Sequence, residues 1–360
     1  MNQNKVSKFF ADLLSGVATV LFLVAALYFL FVCFLTTVEY KPDSEEVLEL
    51  TGEAKTQIRL NEEIDLVSWD IAYGGMGDNA DYFRENGDGV KPASQERVSE
   101  NLDNIYAWLE KNDADLILLQ QVDSFSDRSF RYGEDKFFAK LGERASAYAV
   151  NHICVYIAYP LPPIGTVQSG ILTLSKYTIS SSTRVALPLA NKWPVRVMTA
   201  KHCLQVSRLP IEGSSKELVL VNVQLDTYGK QEAKDAQNEA LRALLEEEAV
   251  KGNYVIAGGD FSQTFPDFRD LYPVQEDMWQ PGEFDTSAFS SDFSFLMDGN
   301  VPSRRSLDQS YAEGDPASFQ YYVTDGFIVS ANVEVQSLEN VDLSFASSNH
   351  NPVCMTVILK

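Results

Sequence analysis

Tyr254-Val255-Ile256-Ala257-Gly258-Gly259-Asp260-Phe261-Ser262 is the stretch on which the fold of this chain turns. Four apolar residues are followed by two glycines, the pattern of a short buried strand. The acid Asp260 comes immediately after that strand. In α/β sheets, ligands bind beyond strand ends, so Asp260 is a candidate site residue. Just upstream, residues 230–250 place Leu241, Leu244 and Leu245 at helical spacing, and a strand is expected near 217–224. Toward the N-terminus, Leu66-Val67-Ser68-Trp69 reads as a strand. Residues 94–112 then put Val98, Leu102, Ile105, Tyr106 and Leu109 on one helical face, with Ser94 as N-cap. The apolar run Leu116-Ile117-Leu118-Leu119 follows. Further strands are expected near 153–158, 170–175, 202–209, 323–329 and 352–359. No repeat and no second change of composition appears after residue 60, so residues 61–360 read as one large α/β domain.

Polar and acidic residues recur where these strands end. Asp70 follows the first strand. Gln121 and Asp123 follow the second, and Gln224 and Asp226 end a later one. Asp325 lies in Thr324-Asp325-Gly326-Phe327-Ile328, and His350 in Ser348-Asn349-His350-Asn351-Pro352. Carboxylates with one histidine are the makeup of a hard-cation site with a proton-transfer partner. Each residue alone has a plainer role, since an Asp after a strand is usually a turn former. Their order and spacing carry the reading.

Composition narrows the function. The 360 residues include 29 Lys+Arg against 51 Asp+Glu, a net charge of -22. Such a surface repels polyanions, so nucleic acid is a poor substrate. The four cysteines, Cys33, Cys154, Cys203 and Cys354, have no short metal-type spacing, which excludes an ordinary structural zinc site. His152 and His202 stand beside Cys154 and Cys203 and are expected as ordinary sheet positions. Arg304-Arg305 is expected to be solvated, Pro160 to Pro163 to shape a loop, and the aromatic stretch 279–296 to form a lid, a partner surface or local packing.

From Leu13 to Val38 no residue is charged and most are apolar. About 20 such residues suffice for a helix to cross a bilayer. Lys5 and Lys8 precede the run, and Glu39, Asp43, Glu45 and Glu46 follow it. The positive-inside rule then expects residues 1–12 in the cytoplasm, 13–38 as an uncleaved anchor and the rest outside. A cleaved signal is the alternative, but the run is long and lacks an obvious small-x-small site. Residues 39–60 are expected as a linker.

Six blocks, in order, resemble the endonuclease/exonuclease/phosphatase (DNase I-like) superfamily. They are Ser68-Trp69-Asp70-Ile71-Ala72-Tyr73-Gly74-Gly75, Leu118-Leu119-Gln120-Gln121-Val122-Asp123, Val221-Asn222-Val223-Gln224-Leu225-Asp226 with Gln237, Gly258-Gly259-Asp260-Phe261-Ser262, Asp325-Gly326-Phe327-Ile328-Val329-Ser330, and Ser348-Asn349-His350-Asn351-Pro352-Val353. The resemblance implies a four-layer α/β sandwich, two packed β-sheets flanked by helices, preceded here by a transmembrane helix. It also implies a site at one edge of the sandwich, Mg²⁺ or Mn²⁺ as cofactor, and hydrolysis of a phosphoester by in-line attack of water.

The same resemblance marks five departures. Asp70 stands where the family usually has Asn, and Gln121 where it has a metal-binding Glu. Gln224 replaces a His that contacts the phosphate, Ser262 an Asn, and Asn349 an Asp expected to pair with the last His. Asp260, which would orient or deprotonate the water, and His350 stay in place; Asp325 matches a further acidic position. The resemblance thus assigns Asp70, Gln121 and Asp325 to a metal, and Asp260, His350, Gln224, Ser262 and Asn349 to catalysis. An amide at Gln121 removes a charge from the metal site, and Gln224 cannot be cationic. The expected outcome is a membrane-anchored domain with weak or lost phosphoesterase activity, acting as a binding or scaffold module, with Mg²⁺ or Mn²⁺ as cofactor if active and otherwise none. The alternative is an active hydrolase in which Asp70 and Gln121 have exchanged roles, acting on a small or lipid-linked phosphoester.

Overall fold

Alternation along the strands builds the core. In the strand Glu63–Asp70, Leu66 faces one way and Val67 and Trp69 the other; in Leu116–Asp123, Leu116 and Leu118 oppose Ile117 and Leu119. Apolar residues on both faces mean that both faces are covered. The computed structural model describes residues 3–312 and 314–360 and meets that requirement with two seven-stranded sheets packed together. One runs in the order Glu45–Val47, Ser181–Ala186, Cys203–Pro210, Glu217–Gln224, Tyr254–Asp260, Asp325–Ser330, Phe293–Leu296. The other runs Val333–Asn340, Val353–Leu359, Glu63–Asp70, Leu116–Asp123, Gly165–Ser175, Ala145–Ile157, Leu50–Thr51. Leu66, Leu116 and Leu118 meet Leu218, Leu220, Ile256 and Phe327 between the sheets. The helix Gln95–Asn112 covers one outer face through Val98, Leu102, Ile105 and Leu109. The helix Gln231–Val250 covers the other through Leu241 and Leu245. The result is the expected four-layer sandwich.

Each sheet contains one parallel pair. Glu63–Asp70 lies parallel to Leu116–Asp123, and Glu217–Gln224 to Tyr254–Asp260. Parallel strands joined through a helix end on the same side, so Asp70, Gln121, Gln224 and Asp260 arrive together. The Gly258-Gly259 pair is required here. A Cβ at Gly258 would lie 2.4 Å from the Phe327 ring, and Gly259, at φ 153°, would place one 1.8 Å from the Val223 carbonyl. Ser94 caps its helix as expected, accepting from the Arg97 amide at 3.2 Å.

Two expectations about elements change. The second strand does not stop at Leu119; it continues to Asp123 through a register shift between Leu119 and Val122, with Gln121 at φ 53°. Such a bulge re-aims a side chain. Residues 39–60 are not a free linker: Glu45–Val47 extends one sheet, Leu50–Thr51 extends the other, and Ile58 is fully buried. Apolar Ile58 and Leu50 decide this, because the core offers them burial. In the aromatic stretch 279–296, of the roles expected, local packing holds in part: Phe284 and Phe295 meet Phe265 edge-on, and Phe289 packs against both of them.

The N-terminal helix spans Gln3–Thr37, so it absorbs most of residues 1–12 as well. Its most apolar 18 residues have a mean hydropathy of 2.7, and the helix is long and apolar enough to cross a membrane. Its last turns touch the domain. Val32 and Leu35 are buried, Phe31 meets Tyr156 edge-on at 6.5 Å, and Trp193 Nε1 donates to Thr36 Oγ1 at 3.1 Å. Glu39 continues the contact, 3.2 Å from Arg196 and 3.4 Å from Lys201.

Candidate functional site

Asp70 and Asp260 end parallel strands of opposite sheets, and His350 precedes the strand Val353–Leu359. All three are buried. One carboxylate oxygen from each acid and one ring nitrogen of His350 lie within 4.8 Å of one another. Among the described residues, this is the one group of His, Cys, Asp and Glu close enough to share a cation.

Hydrogen bonds fix each member. Asp70 Oδ1 accepts from the Ala72 amide at 2.8 Å; its Oδ2 accepts from Gln121 Nε2 at 2.8 Å and Gln224 Nε2 at 3.4 Å. Gln224 in turn accepts from Asn151 Nδ2 at 2.8 Å. Asp260 accepts from the Ser262 amide at 2.7 Å and the Ser262 hydroxyl at 3.0 Å. Asp325 sits beside Asp260 in the ladder and accepts from Ser303 Oγ at 2.7 Å and Thr324 Oγ1 at 3.1 Å. Its Oδ2 lies 2.9 Å from His350 Nδ1.

Two expectations are thereby corrected. The partner of His350 is Asp325, not Asn349, because the antiparallel strand from Asp325 starts directly under the ring. Asn349 lines the cleft and accepts the Arg305 amide through its main-chain carbonyl at 3.1 Å. Asp325, expected with the metal ligands, lies outside the three-residue cluster, its oxygens taken by the ring and two hydroxyls. Gln121 is present at the site as a donor to Asp70.

The electrostatics follow from burial and crowding. Burial, then the Asp325 charge, pushes the Asp260 carboxyl up to about 7, with His350 acting the other way. Burial likewise raises Asp70, opposed first by His350. For His350, burial acts downward, but Asp325, Asp70 and Asp260 outweigh it and hold the ring at about 9. At neutral pH the ring is therefore cationic, with Nδ1 committed to Asp325 and Nε2 left for other partners. One imidazolium does not balance three carboxyl groups.

Asp260 and His350 line a cleft of about 440 Å³ together with Gln121 and Gln224, and Asp70 lies fully buried behind them. Arg128 lines it, 3.8 Å over the Tyr73 ring, and grips Asp123 with two bonds of 2.9 and 2.8 Å. Arg304 also lines it, 3.9 Å over Trp279 and paired with Glu85. The expectation that Arg304-Arg305 is solvated fails, since both are buried; Arg305 donates to the Gly77 carbonyl at 2.7 Å, and burial lowers it to about 10. His152 and His202 line the cleft as well. Burial lowers His152 to about 3, with Nε2 3.1 Å from the Met198 carbonyl, and lowers His202, which lies 3.7 Å from Asp226. Cys154 and Cys203 join no cation group with them, and all four cysteines are free.

Beneath the site, Gln120 Nε2 donates to Asn222 Oδ1 at 2.8 Å, a polar tie between the sheets. Neither residue, nor Asn151, Glu85 or Arg128, carries a local signal in the sequence. Each is recruited by pairing across long separations.

A sequence profile of the Endonuclease/Exonuclease/phosphatase family matches residues 67–297. Solved structures share the fold. The endonuclease/exonuclease/phosphatase from Beutenbergia cavernae DSM 12333 is 14% identical, with 83% of this chain and 72% of that one covered and a TM-score of 0.55. One from Bacteroides vulgatus is 14% identical over 83% and 100%, with a TM-score of 0.54. The human Nocturnin catalytic domain with bound sulfate anion is 13% identical over 87% and 97%, with a TM-score of 0.51. At these identities the likeness is one of fold. No curated protein matches the chain.

Proposed function

The chain belongs to the endonuclease/exonuclease/phosphatase family, and from that premise we propose a membrane-anchored, divalent-cation-dependent phosphoester hydrolase whose altered site still works. The observation that carries this reading is the 2.8 Å bond from Gln121 to Asp70. Where relatives are expected to hold Asn and Glu, this chain holds Asp and Gln in contact, so the carboxylate has crossed the pair without being lost. Random decay has no reason to conserve that charge.

The residues fit a hard cation. Asp70 and Asp260 present oxygens within 4.8 Å of each other, both buried, the oxygen donor chemistry a hard cation takes. These two acids would hold Mg²⁺ or Mn²⁺, which would polarise a phosphoryl oxygen and neutralise developing charge. Asp260, held by Ser262, would orient a water and take its proton. His350 presents Nε2 as a donor to a phosphoryl or leaving oxygen, and Asp325 keeps the ring cationic and oriented. Gln224 holds Asp70 and offers no charge to the phosphate.

That last residue favours a second reading, a binding module with little turnover. The test is hydrolysis of a soluble phosphodiester and a phosphomonoester by the full chain with Mn²⁺, beside Asp260→Ala. Turnover lost in Asp260→Ala supports the hydrolase. Equal rates from two folded proteins would leave the binding module. The net charge of -22 argues against nucleic acid as substrate. Lys5 and Lys8 before the uncharged run and the acids after it support a cytoplasmic N-terminus and a domain on the far side. Protease accessibility of the domain in intact cells tests that orientation.

A further inference from the structure

An apolar rim connects the cleft to the N-terminal helix. Tyr159 and Leu161 are 76% and 81% exposed, and Tyr156, Trp193 and Val195 are exposed as well. Tyr159 and Val195 also line the cleft. Tyr156 and Trp193 are the residues that touch Phe31 and Thr36 of the helix. So the apolar helix, the rim and the cleft mouth form one continuous surface. Isolated exposed apolar residues are ordinary, but a contiguous set marks an interface.

Lengths set the depth of that surface. The uncharged portion of the helix, Leu13–Thr37, has 25 residues. At 1.5 Å each it is about 37 Å long, against a hydrocarbon core of about 30 Å. Its ends therefore reach into the headgroup zones. Phe31 lies six residues before Thr37, about 9 Å back along the axis. A domain side chain resting on Phe31 is held at the boundary between headgroups and acyl chains. Two tyrosines and a tryptophan are the residue types that settle there. The strongly negative net charge gives no attraction to anionic lipid, so seating rests on apolar contact and the covalent helix.

Building on the hydrolase reading above, we propose that this rim sits in the leaflet facing the domain and that the cleft takes the phosphoester headgroup of a lipid from that leaflet. The acyl chains stay in the bilayer beside Tyr159 and Val195, while the headgroup enters toward Asp260 and His350. Water attacks phosphorus, the ester P–O bond breaks, and the displaced oxygen leaves with a proton.

Two measurements test this on the full chain in phosphatidylcholine nanodiscs. Seating is read from Trp193 fluorescence, as wild type minus Trp193→Phe, with lipids brominated near the headgroup end of the acyl chain. Quenching of the Trp193 component is expected; its absence overturns the seating. Substrate class is read from two diesters with one reacting group, p-nitrophenyl hexadecyl phosphate and p-nitrophenyl methyl phosphate, with Mn²⁺. The hexadecyl ester is expected to turn over at least about tenfold faster, because its chain is concentrated in the bilayer. Leu161→Asp with Trp193→Ser, both outside the cleft lining, should remove that advantage and leave the methyl ester unchanged. Equal rates in wild type, or a variant that lowers both substrates, overturn the lipid assignment alone. No turnover of either ester overturns the hydrolase reading as well.

Discussion

The two halves of the site have been treated differently by sequence change. On the Asp260 side, Asp260, Asp325 and His350 form a connected unit, with Ser262 donating to one end and His350 bonded to Asp325 at the other. On the Asp70 side, all three polar members are unexpected types: an acid at 70 and amides at 121 and 224. Yet the Asp70 side is as fully hydrogen-bonded as its counterpart. The lesson is that a site can change residue types while keeping its charge and its bonding, provided the changes pair. Amide and carboxylate have nearly the same shape, so swapping them across one hydrogen bond alters only which partner carries the charge.

The most severe way to probe the comparison is to remove charge from the half whose acids and histidine are of the expected types, although Ser262 and Asn349 beside them are not. Asp260→Asn keeps shape and the Ser262 contact, and is expected to lower turnover by about 10²–10⁴-fold, the usual worth of general acid–base help. Single-turnover assays with a matched circular dichroism spectrum would check it. A loss below about tenfold would mean the two halves do not cooperate in one reaction. Asp325→Asn should be milder but more telling. It removes the main charge holding the His350 ring near 9, so the pH at which His350 loses its proton, followed by NMR, should fall.

The next test addresses the altered half. Asp70→Asn should weaken Mn²⁺ binding by about 10–100-fold, read as loss of the Mn²⁺-induced rise in melting temperature. Adding Gln121→Glu to Asp70→Asn moves the carboxylate back across the hydrogen bond and should restore most of that rise. Gln121→Glu alone crowds a second acid against Asp70 and should destabilise the metal-free protein. The double-mutant cycle isolates the coupling. Additive losses would show that the two residues are independent and that the exchange is accidental.

Much of the fold was legible because apolar periodicity is a local signal. The strands ending at Asp70, Gln224 and Asp260 and the helices after Ser94 and before Val250 could be placed from spacing alone. Short edge strands were not legible: Glu45–Val47 and Leu50–Thr51 are too brief and too charged to show a period, and exist because sheet edges accept them. In the site, residue identities could be assigned one by one, but partners could not. Asp325 and His350 are joined by a register that no local pattern encodes. Gln121 reaches Asp70 only because a bulge turns it, and the sequence Leu119-Gln120-Gln121-Val122 gives no sign of that bulge.

The smallest expected effect separates the halves by pH. Asp260 holds a proton up to about 7 in the folded protein, against 3.8 ordinarily. Between those values the native state binds more protons than the unfolded chain, so rising pH costs stability. His350 acts with the same sign. Its pKa is raised from 6.5 to about 9, so its contribution is complete below 6.5 and lost as pH rises through 9. The metal-free protein should therefore lose stability steadily from about pH 4 to pH 9. A cation on Asp70 and Asp260 competes with the proton on Asp260, so Mn²⁺ should raise the melting temperature more at pH 8 than at pH 6. In Asp260→Asn the pH dependence of that rise should flatten, since the competing proton is gone. If wild type gives the same Mn²⁺ response at both pH values, Asp260 is not where the ion sits. The ion would then belong to the Asp70 side alone.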